Sequence, residues 1–369
     1  MHTRRQFTAL STALLASACV PPEIRPARHR DRLGLVPVRV SADRIIRTDV
    51  GLRPYRRSGF VVAREAIGNK TLVHNYGHGG GGITLSWGTA ILAADLGYSS
   101  AAPACAVLGC GAVGLATARV LQERGAKVRI YARDLPPHTT SNVAGAQWWP
   151  VGVFGRDKLT PAFEQQYDAA MRLAFERFRR LAGPHHGVHW TSSFVLSRNP
   201  IRVMPAAPGS PMLRFAPDLY DLAPDEHPFP AQYVRHYRTL LIDSPRYLCA
   251  LMDEFRQAGG EIVVRDFGDV AQIITVPEPT VFNCTGLGAA ALFDDDGMTP
   301  VRGQLVVLRP QPDVNYSLLA DRGLHMYPRS DGILLGGTHD YGETSLTPDP
   351  DASARILAGH QALFAGMQA

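Results

Sequence analysis

Apolar positions along the chain alternate between two rhythms. Residues 106–108 (Ala-Val-Leu) and 128–131 (Val-Arg-Ile-Tyr) are short apolar runs that predict buried strands. Between them, residues 115–124 carry the apolar spacing and the helix formers of an amphipathic helix, which Gly125 ends. Residues 160–181 place Phe163, Tyr167, Ala170, Met171, Ala174, Phe175 and Phe178 on one helical face. Residues 85–96 and 244–258 read as further helices, 261–264 as a strand, and 280–288 as a strand running into a glycine turn. Residues 36–49 alternate in a strand-like way, residues 205–230 form a proline-rich loop long enough to cover a site, and one more helix precedes the end of the chain. Strands that alternate with helices predict an α/β fold.

Composition narrows the class. The 369 residues can build one large or two medium domains with a full core. Charged residues are 19% and apolar residues 45%, which indicates a globular body rather than a disordered one. The net charge of +5 is modest and many arginines precede Arg64, so no nucleic-acid face is expected. Arg4-Arg5 ahead of a short apolar run, with Ala16-Ser17-Ala18 as a cleavage site, makes residues 1–18 a twin-arginine export signal. The expected location is therefore periplasmic or cell-envelope. Cys19 leaves a lipid tether to the membrane open, although Ala16 is not the favoured residue for lipidation, and residues 19–35 read as a Pro- and Arg-rich tether. The five cysteines are scattered, and Cys105 and Cys110 read as buried small apolar residues. His185, His186 and His189 lie in strand-like surroundings where they would not converge, and Asp294-Asp295-Asp296 reads as a solvated loop, so no metal is expected.

Candidate chemistry gathers at glycine. Gly109-Cys110-Gly111-Ala112-Val113-Gly114 sits between the first strand and its helix. The first glycine allows a tight turn, the second lets backbone approach a pyrophosphate, and the third lets helix pack on strand, while the helix start offers N–H groups to phosphate. Arg133-Asp134 follows at the distance expected of a ribose partner. Thr139, Thr140 and Ser141 supply hydroxyls for phosphate, and the small residues after them suit a flat ring. A second stretch, Gly79-Gly80-Gly81-Gly82, permits close approach to a planar ligand, and the helix after it would aim its positive end there. His74 and His78 read as framework. Arg53 precedes Pro54, so its backbone is stiff and extended.

Residues 139–150, as they stand, resemble the flavin-binding stretch of the D-amino-acid oxidase family without gaps. The resemblance covers nearly all of residues 36–369 in two blocks, and includes residues 280–288, 324–329 and 335–339. It implies FAD as cofactor. Around FAD it would place Gly109, Gly111, Ala112, Val113, Gly114, Arg133, Asp134, Thr139, Thr140, Ser141, Gly145, Ala146, Gln147, Phe267, Gly79, Gly82, Ile83 and Thr84. It implies Arg53 on the substrate carboxylate, where a guanidinium fork grips both oxygens, and the Gly80 carbonyl on the amine. Trp149, His325 and His339 would complete the substrate pocket. Two active-site tyrosines common in the family fall here at His325 and, in some members, at His339. A basic His339 would suit an acidic side chain, as in the D-aspartate oxidase branch. No side chain is expected to act as an essential acid or base.

In that family the stretches at 51–56 and 74–97 come at the end of the chain; here they precede the first glycine turn. The resemblance thus implies a circular permutation joined through residues 98–104. The implied order is a signal at 1–18, a tether at 19–35, substrate-domain segments at 36–73, 151–243 and 305–369, and FAD-domain segments at 74–150 and 244–304. The fold would be a Rossmann-type FAD-binding domain interleaved with a substrate domain on a mixed sheet. The implied activity is oxidative deamination of a D-amino acid, with oxygen as acceptor and hydrogen peroxide as product. Other readings stay open: a D-aspartate- or glycine-type amine oxidase, a flavin dehydrogenase with another acceptor, or a non-catalytic exported flavin-binding protein.

Overall fold

The computed structural model describes residues 32–202 and 211–368; the expected export signal and most of the tether lie outside them. In chain order the strands are β1 (Ile45–Arg56), β2 (Val61–Ile67), β3 (Lys70–Tyr76), β4 (Ala104–Leu108), β5 (Lys127–Ala132), β6 (Val188–Ser197), β7 (Tyr220–Leu222), β8 (Tyr233–Ile242), β9 (Glu261–Val264), β10 (Thr280–Asn283), β11 (Met298–Leu308), β12 (Tyr316–Ala320), β13 (His325–Arg329), β14 (Gly332–Gly336) and β15 (Asp340–Tyr341). The helices are α1 (Gly82–Gly97), α2 (Ala112–Glu123), α3 (Thr140–Val143), α4 (Pro161–Arg180), α5 (Ser244–Gln257), α6 (Val270–Ile274), α7 (Gly288–Leu292) and α8 (Pro350–Ala365).

One sheet has six strands in the order β2-β3-β10-β4-β5-β9, parallel from β3 to β9 with β2 antiparallel at its edge. Its central strands read as continuous apolar runs because both faces are covered. The predicted strand–turn–helix–strand runs from β4 through α2 to β5. Gly125 ends α2 in a left-handed conformation, with its N–H on the Gln122 carbonyl. The second sheet is mixed, in the order β1-β11-β14-β13-β12-β6-β8-β7, with β15 pairing β11. β12 runs parallel to β6, and the other neighbours are antiparallel. A Rossmann-type sheet and a mixed sheet interleaved along the chain are thus the observed architecture.

The main core lies where α1, α2, α4 and α5 stack on the first sheet, with Leu85, Leu115, Phe178 and Leu251 fully buried. α1 and α4 cross so closely that a Cβ on Gly88 would lie 1.9 Å from the Ala170 carbonyl oxygen. α4 begins as its sequence dictates, with Thr160 capping the Phe163 N–H, Pro161 in the first turn and arginines in the last. Emptying this core at Phe178 by substitution to alanine costs about 3–5 kcal/mol.

Several boundaries differ from expectation. Residues 36–40 form no strand; regular pairing starts at Ile45, after a 3-10 turn at Ala42–Arg44. β2 and β3 belong to the parallel sheet, so the first substrate-side segment ends before Val61 rather than at residue 73. All of β11 lies in the mixed sheet, which moves the 304 boundary back to Met298. The proline-rich loop is partly structured: it contains β7, and Phe215 packs 5.2 Å from the Trp148 ring, within the core. Residues 203–210 of that loop lie outside the described residues. Among the described residues no helix is long and apolar enough to cross a membrane.

Candidate active site

The carboxyl ends of β3, β10, β4 and β5 open on one edge of the parallel sheet, where such folds place ligands. Gly109, directly after β4, has φ +104°, and a Cβ there would meet the Cys284 carbonyl oxygen at 2.5 Å. A Cβ on Gly114 would lie 2.0 Å from the Gly109 carbonyl oxygen, so this glycine holds α2 against the strand. A Cβ on Gly111 would meet only Ser141 Oγ, at a tight 3.1 Å. No side chain of the Gly111 N-cap closes α2, but Ser141 Oγ accepts the Ala112 N–H at 3.0 Å. The hydroxyl run therefore folds back on the start of α2. Arg133 Nε pairs with Asp134 at 2.9 Å just beyond β5, and both are exposed. Thr139 stands at the N-cap position of the one-turn α3 without a side-chain cap bond, and its hydroxyl donates to Asn142 Oδ1 at 2.8 Å.

At the second glycine stretch, close approach serves the protein itself. Cβ atoms on Gly79, Gly80 and Gly81 would lie 2.1 Å from the Gly152 carbonyl oxygen, 2.4 Å from that of Val151 and 2.8 Å from Val153 Cγ2. Gly82 alone of the four has open space around it, at the start of α1. That helix, too, begins without a side-chain cap. Ile83 and Thr84 are buried in its first turn, with Thr84 Oγ1 on the Gly81 carbonyl. Two helices of three turns or more thus present positive ends that no N-cap side chain closes, Ser141 taking only the Ala112 N–H of α2, which suits a cofactor with an anionic pyrophosphate and an electron-accepting ring. As expected, His74 and His78 are framework. His74 bridges Glu65 and Asn283, and His78 bonds Thr89 under the Phe60 ring. Burial pushes the His78 pKa down to about 3.

Arg53 projects from β1 across Gly303 of β11, where a Cβ would come 2.3 Å from its Nη1. Nη1 is buried with no hydrogen-bond partner, and desolvation lowers the guanidinium pKa. The phenols of Tyr327 and Tyr341 and the Asp340 carboxylate act against that lowering. Arg53 Cδ lies 3.9 Å from where a Gly80 Cβ would sit, and Gly80 is exposed. The fold therefore brings together the predicted carboxylate and amine partners. His325 and Tyr327 share a face of β13, as strand alternation requires. Burial first, and Arg53 next among nearby charges, push the His325 pKa down to about 3, while the His325 Nδ1 atom lies 3.0 Å from the Gly323 carbonyl. His339, at the exposed rim, is lowered by the same two causes.

The remaining expected residues divide. Gly145 lies under the Tyr327 ring, with a would-be Cβ 2.3 Å from it, and Ala146 takes a positive φ of 54° beside Gly145. The Gln147 side chain is taken up by Tyr237, Ser193 and Ser317, and its carbonyl accepts the Trp149 N–H at 2.8 Å. Trp149 is buried edge-on to Tyr237. Phe267 packs edge-on to Tyr131 in a small separate core, so its ring is a packing group. Cys105 and Cys110 are buried thiols pushed up to about 12, as their apolar reading implies. Asp295 is not solvated loop: it accepts from Tyr76 Oη at 2.8 Å and from Arg56 Nε at 2.9 Å. Sequence reasoning missed Arg329, buried at the end of β13. Its Nη1 donates to the Asn142 and Ala144 carbonyls at 3.0 and 2.9 Å, clamping the 142–144 backbone, while Asp331 holds its other edge. The one signal was a charged residue closing an apolar strand. Also missed were Tyr327 and Tyr237, which only cross-strand contacts bring to the site.

The sequence profile of the family described as FAD dependent oxidoreductase matches residues 21–96 and 104–369. A D-amino-acid oxidase from Rubrobacter xylanophilus is 33% identical over 264 residues, 70% of this chain and 76% of that protein. One from Streptomyces coelicolor is 34% identical over 262 residues, covering 68% and 74% of the two chains. The crystal structure of glycine oxidase from Geobacillus kaustophilus shares the fold at a TM-score of 0.53, with 17% identity over 70% of this chain and 77% of that one.

Proposed function

This chain belongs to the FAD-dependent oxidoreductase family, and on that footing we propose that it oxidatively deaminates a D-amino acid. The amino acid, oxygen and water would become a keto acid, ammonia and hydrogen peroxide. The 109–114 turn, the 139–141 hydroxyls and the starts of α1 and α2 would hold FAD, which would supply the two-electron acceptor. The observation that carries the reading is the buried, unpartnered Arg53 Nη1 beside exposed Gly80. Arg53 grips the substrate carboxylate through both nitrogens, and the Gly80 carbonyl accepts from the amine. Together they hold the α-carbon in one orientation. Tyr327 and His325 wall the pocket, and His325 stays neutral. No side chain needs to move a proton for this; positioning carries the rate.

The test is an absorbance spectrum of the purified protein without oxygen, before and after D-alanine, D-aspartate and their L-forms. Bleaching of the flavin bands by a D-form alone supports the reading. A bound flavin that no amino acid reduces sinks it. A second reading takes an acidic side chain at the rim, to which His339, its pKa lowered by burial and by Arg53, offers a hydrogen-bond donor rather than a charge; it predicts D-aspartate preferred over D-alanine.

We further propose that the chain is circularly permuted. The two matched blocks part between α1 and β4, and the described ends lie together, with Arg32 Nη2 donating to Gln368 at 3.1 Å. A chain re-joined as 104–369 followed by 32–97 should fold and bind FAD; failure to fold would count against permutation. Arg4-Arg5 supports export, and their replacement by lysine should trap the protein in the cytoplasm.

A further inference from the structure

The turn between α4 and β6 does something its sequence did not foretell. His185 and His186 were expected not to converge; they do, although His189 does not join them. His185 Nε2 lies 3.1 Å and His186 Nε2 2.7 Å from the same oxygen, Oε1 of Glu254 on α5. The two rings stand edge to face, 4.6 Å apart. The three ligand atoms all lie within 4.8 Å of one another.

We propose that His185, His186 and Glu254 bind one divalent cation of the zinc class. A tetrahedral ion with bonds of about 2.0–2.1 Å separates its ligand atoms by about 3.3 Å, against 3.1 and 2.7 Å for the two histidine–glutamate spacings and at most 4.8 Å between the two imidazole nitrogens. Two imidazoles and a carboxylate are the donor set such an ion prefers. The turn is built in advance. Gly183 N–H bonds the Val188 carbonyl, the Asp243 N–H bonds that of Gly187, and Gly187 takes a positive φ of 63°. Glu254 Oε2 faces Arg119 Nε at 3.6 Å, so the second oxygen has an outer partner that orients the carboxylate. The His185 side chain is 68% exposed and that of His186 14%, which leaves a fourth position open to water. The bound cation would tie the turn to α5 and, through Arg119, to α2, the helix that starts at the first glycine turn.

The experiment uses the untagged holoprotein, dialysed against a chelator, and titrated calorimetrically with zinc and spectroscopically with cobalt. The expected result is one equivalent bound, with visible cobalt bands of a four- or five-coordinate nitrogen–oxygen site and a raised melting temperature. His185→Ala, at an exposed position that folding does not need, should weaken binding by at least the roughly tenfold to hundredfold seen when outer partners are lost. His186→Ala should do the same. Absence of the cobalt bands, or one-equivalent binding unchanged in both variants, overturns the proposal. Neither outcome depends on which amino acid the enzyme oxidises.

Discussion

Arg53→Met separates function from stability at one position. In the free enzyme the guanidinium lies across the Gly303 backbone with Nη1 buried and unbonded, a state that costs about 1–3 kcal/mol for such a group. Methionine is long, flexible and neutral, so it fills the same path without that penalty. The melting temperature of the FAD-loaded variant should therefore hold or rise by a few degrees. Catalysis moves the other way. Two hydrogen bonds to a charged carboxylate contribute about 1.5–3 kcal/mol each, so kcat/KM should fall by roughly 10² to 10⁴. Arg53→Lys keeps the charge but not the fork, and should lose about half of that on the logarithmic scale. The assays are steady-state peroxide release with the preferred D-amino acid and a thermal melt of the same samples. Activity within threefold of wild type refutes the role. A fall of many degrees in the melt, matching the activity loss, would make Arg53 framework instead.

Gly114→Ala would push a methyl within 2.0 Å of the Gly109 carbonyl, so purified variant protein should carry little FAD and melt earlier; flavin absorbance per chain and circular dichroism measure both. Ser141→Ala frees the Ala112 N–H and should weaken FAD binding by about 0.5–1.5 kcal/mol, or roughly two- to tenfold, in a fluorescence titration. Buried His78 has a native pKa near 3 against about 6.5 unfolded, so only the unfolded chain takes up its proton in that window. Stability should thus fall as pH drops from 6.5 toward 3, by roughly 1 kcal/mol per unit for this residue, and the urea midpoint of His78→Gln should depend less on pH. Stripping FAD should lower the melting temperature, and re-adding it at a hundredfold over its dissociation constant should restore about 2.7 kcal/mol.

The elements closest to the cofactor were the most legible. Turn, helix and strand at 106–131 follow from local periodicity and from glycines with only one fitting conformation, so a window of a few residues contains the answer. The four-glycine run was legible as a place of close approach but not as to what approaches: residues 151–153, distant in sequence, fill that space at three of the four positions. Gln147 was placed around the cofactor by the resemblance, but the sequence did not show that Tyr237, Ser193 and Ser317 from three other strands take its side chain.

What the sequence alone determined is the order and type of the main elements and the dinucleotide turn, because their chemistry is carried within short windows; the pairing of Arg53 with Gly80 came only through the family resemblance. Only tertiary structure decided that β2 and β3 extend the parallel sheet, that Arg329 clamps the 142–144 backbone, and that His185 and His186 meet Glu254. Each of those depends on contacts between residues far apart in the chain. Such contacts follow from how sheets pair and helices pack, and no local pattern of polar and apolar positions encodes them.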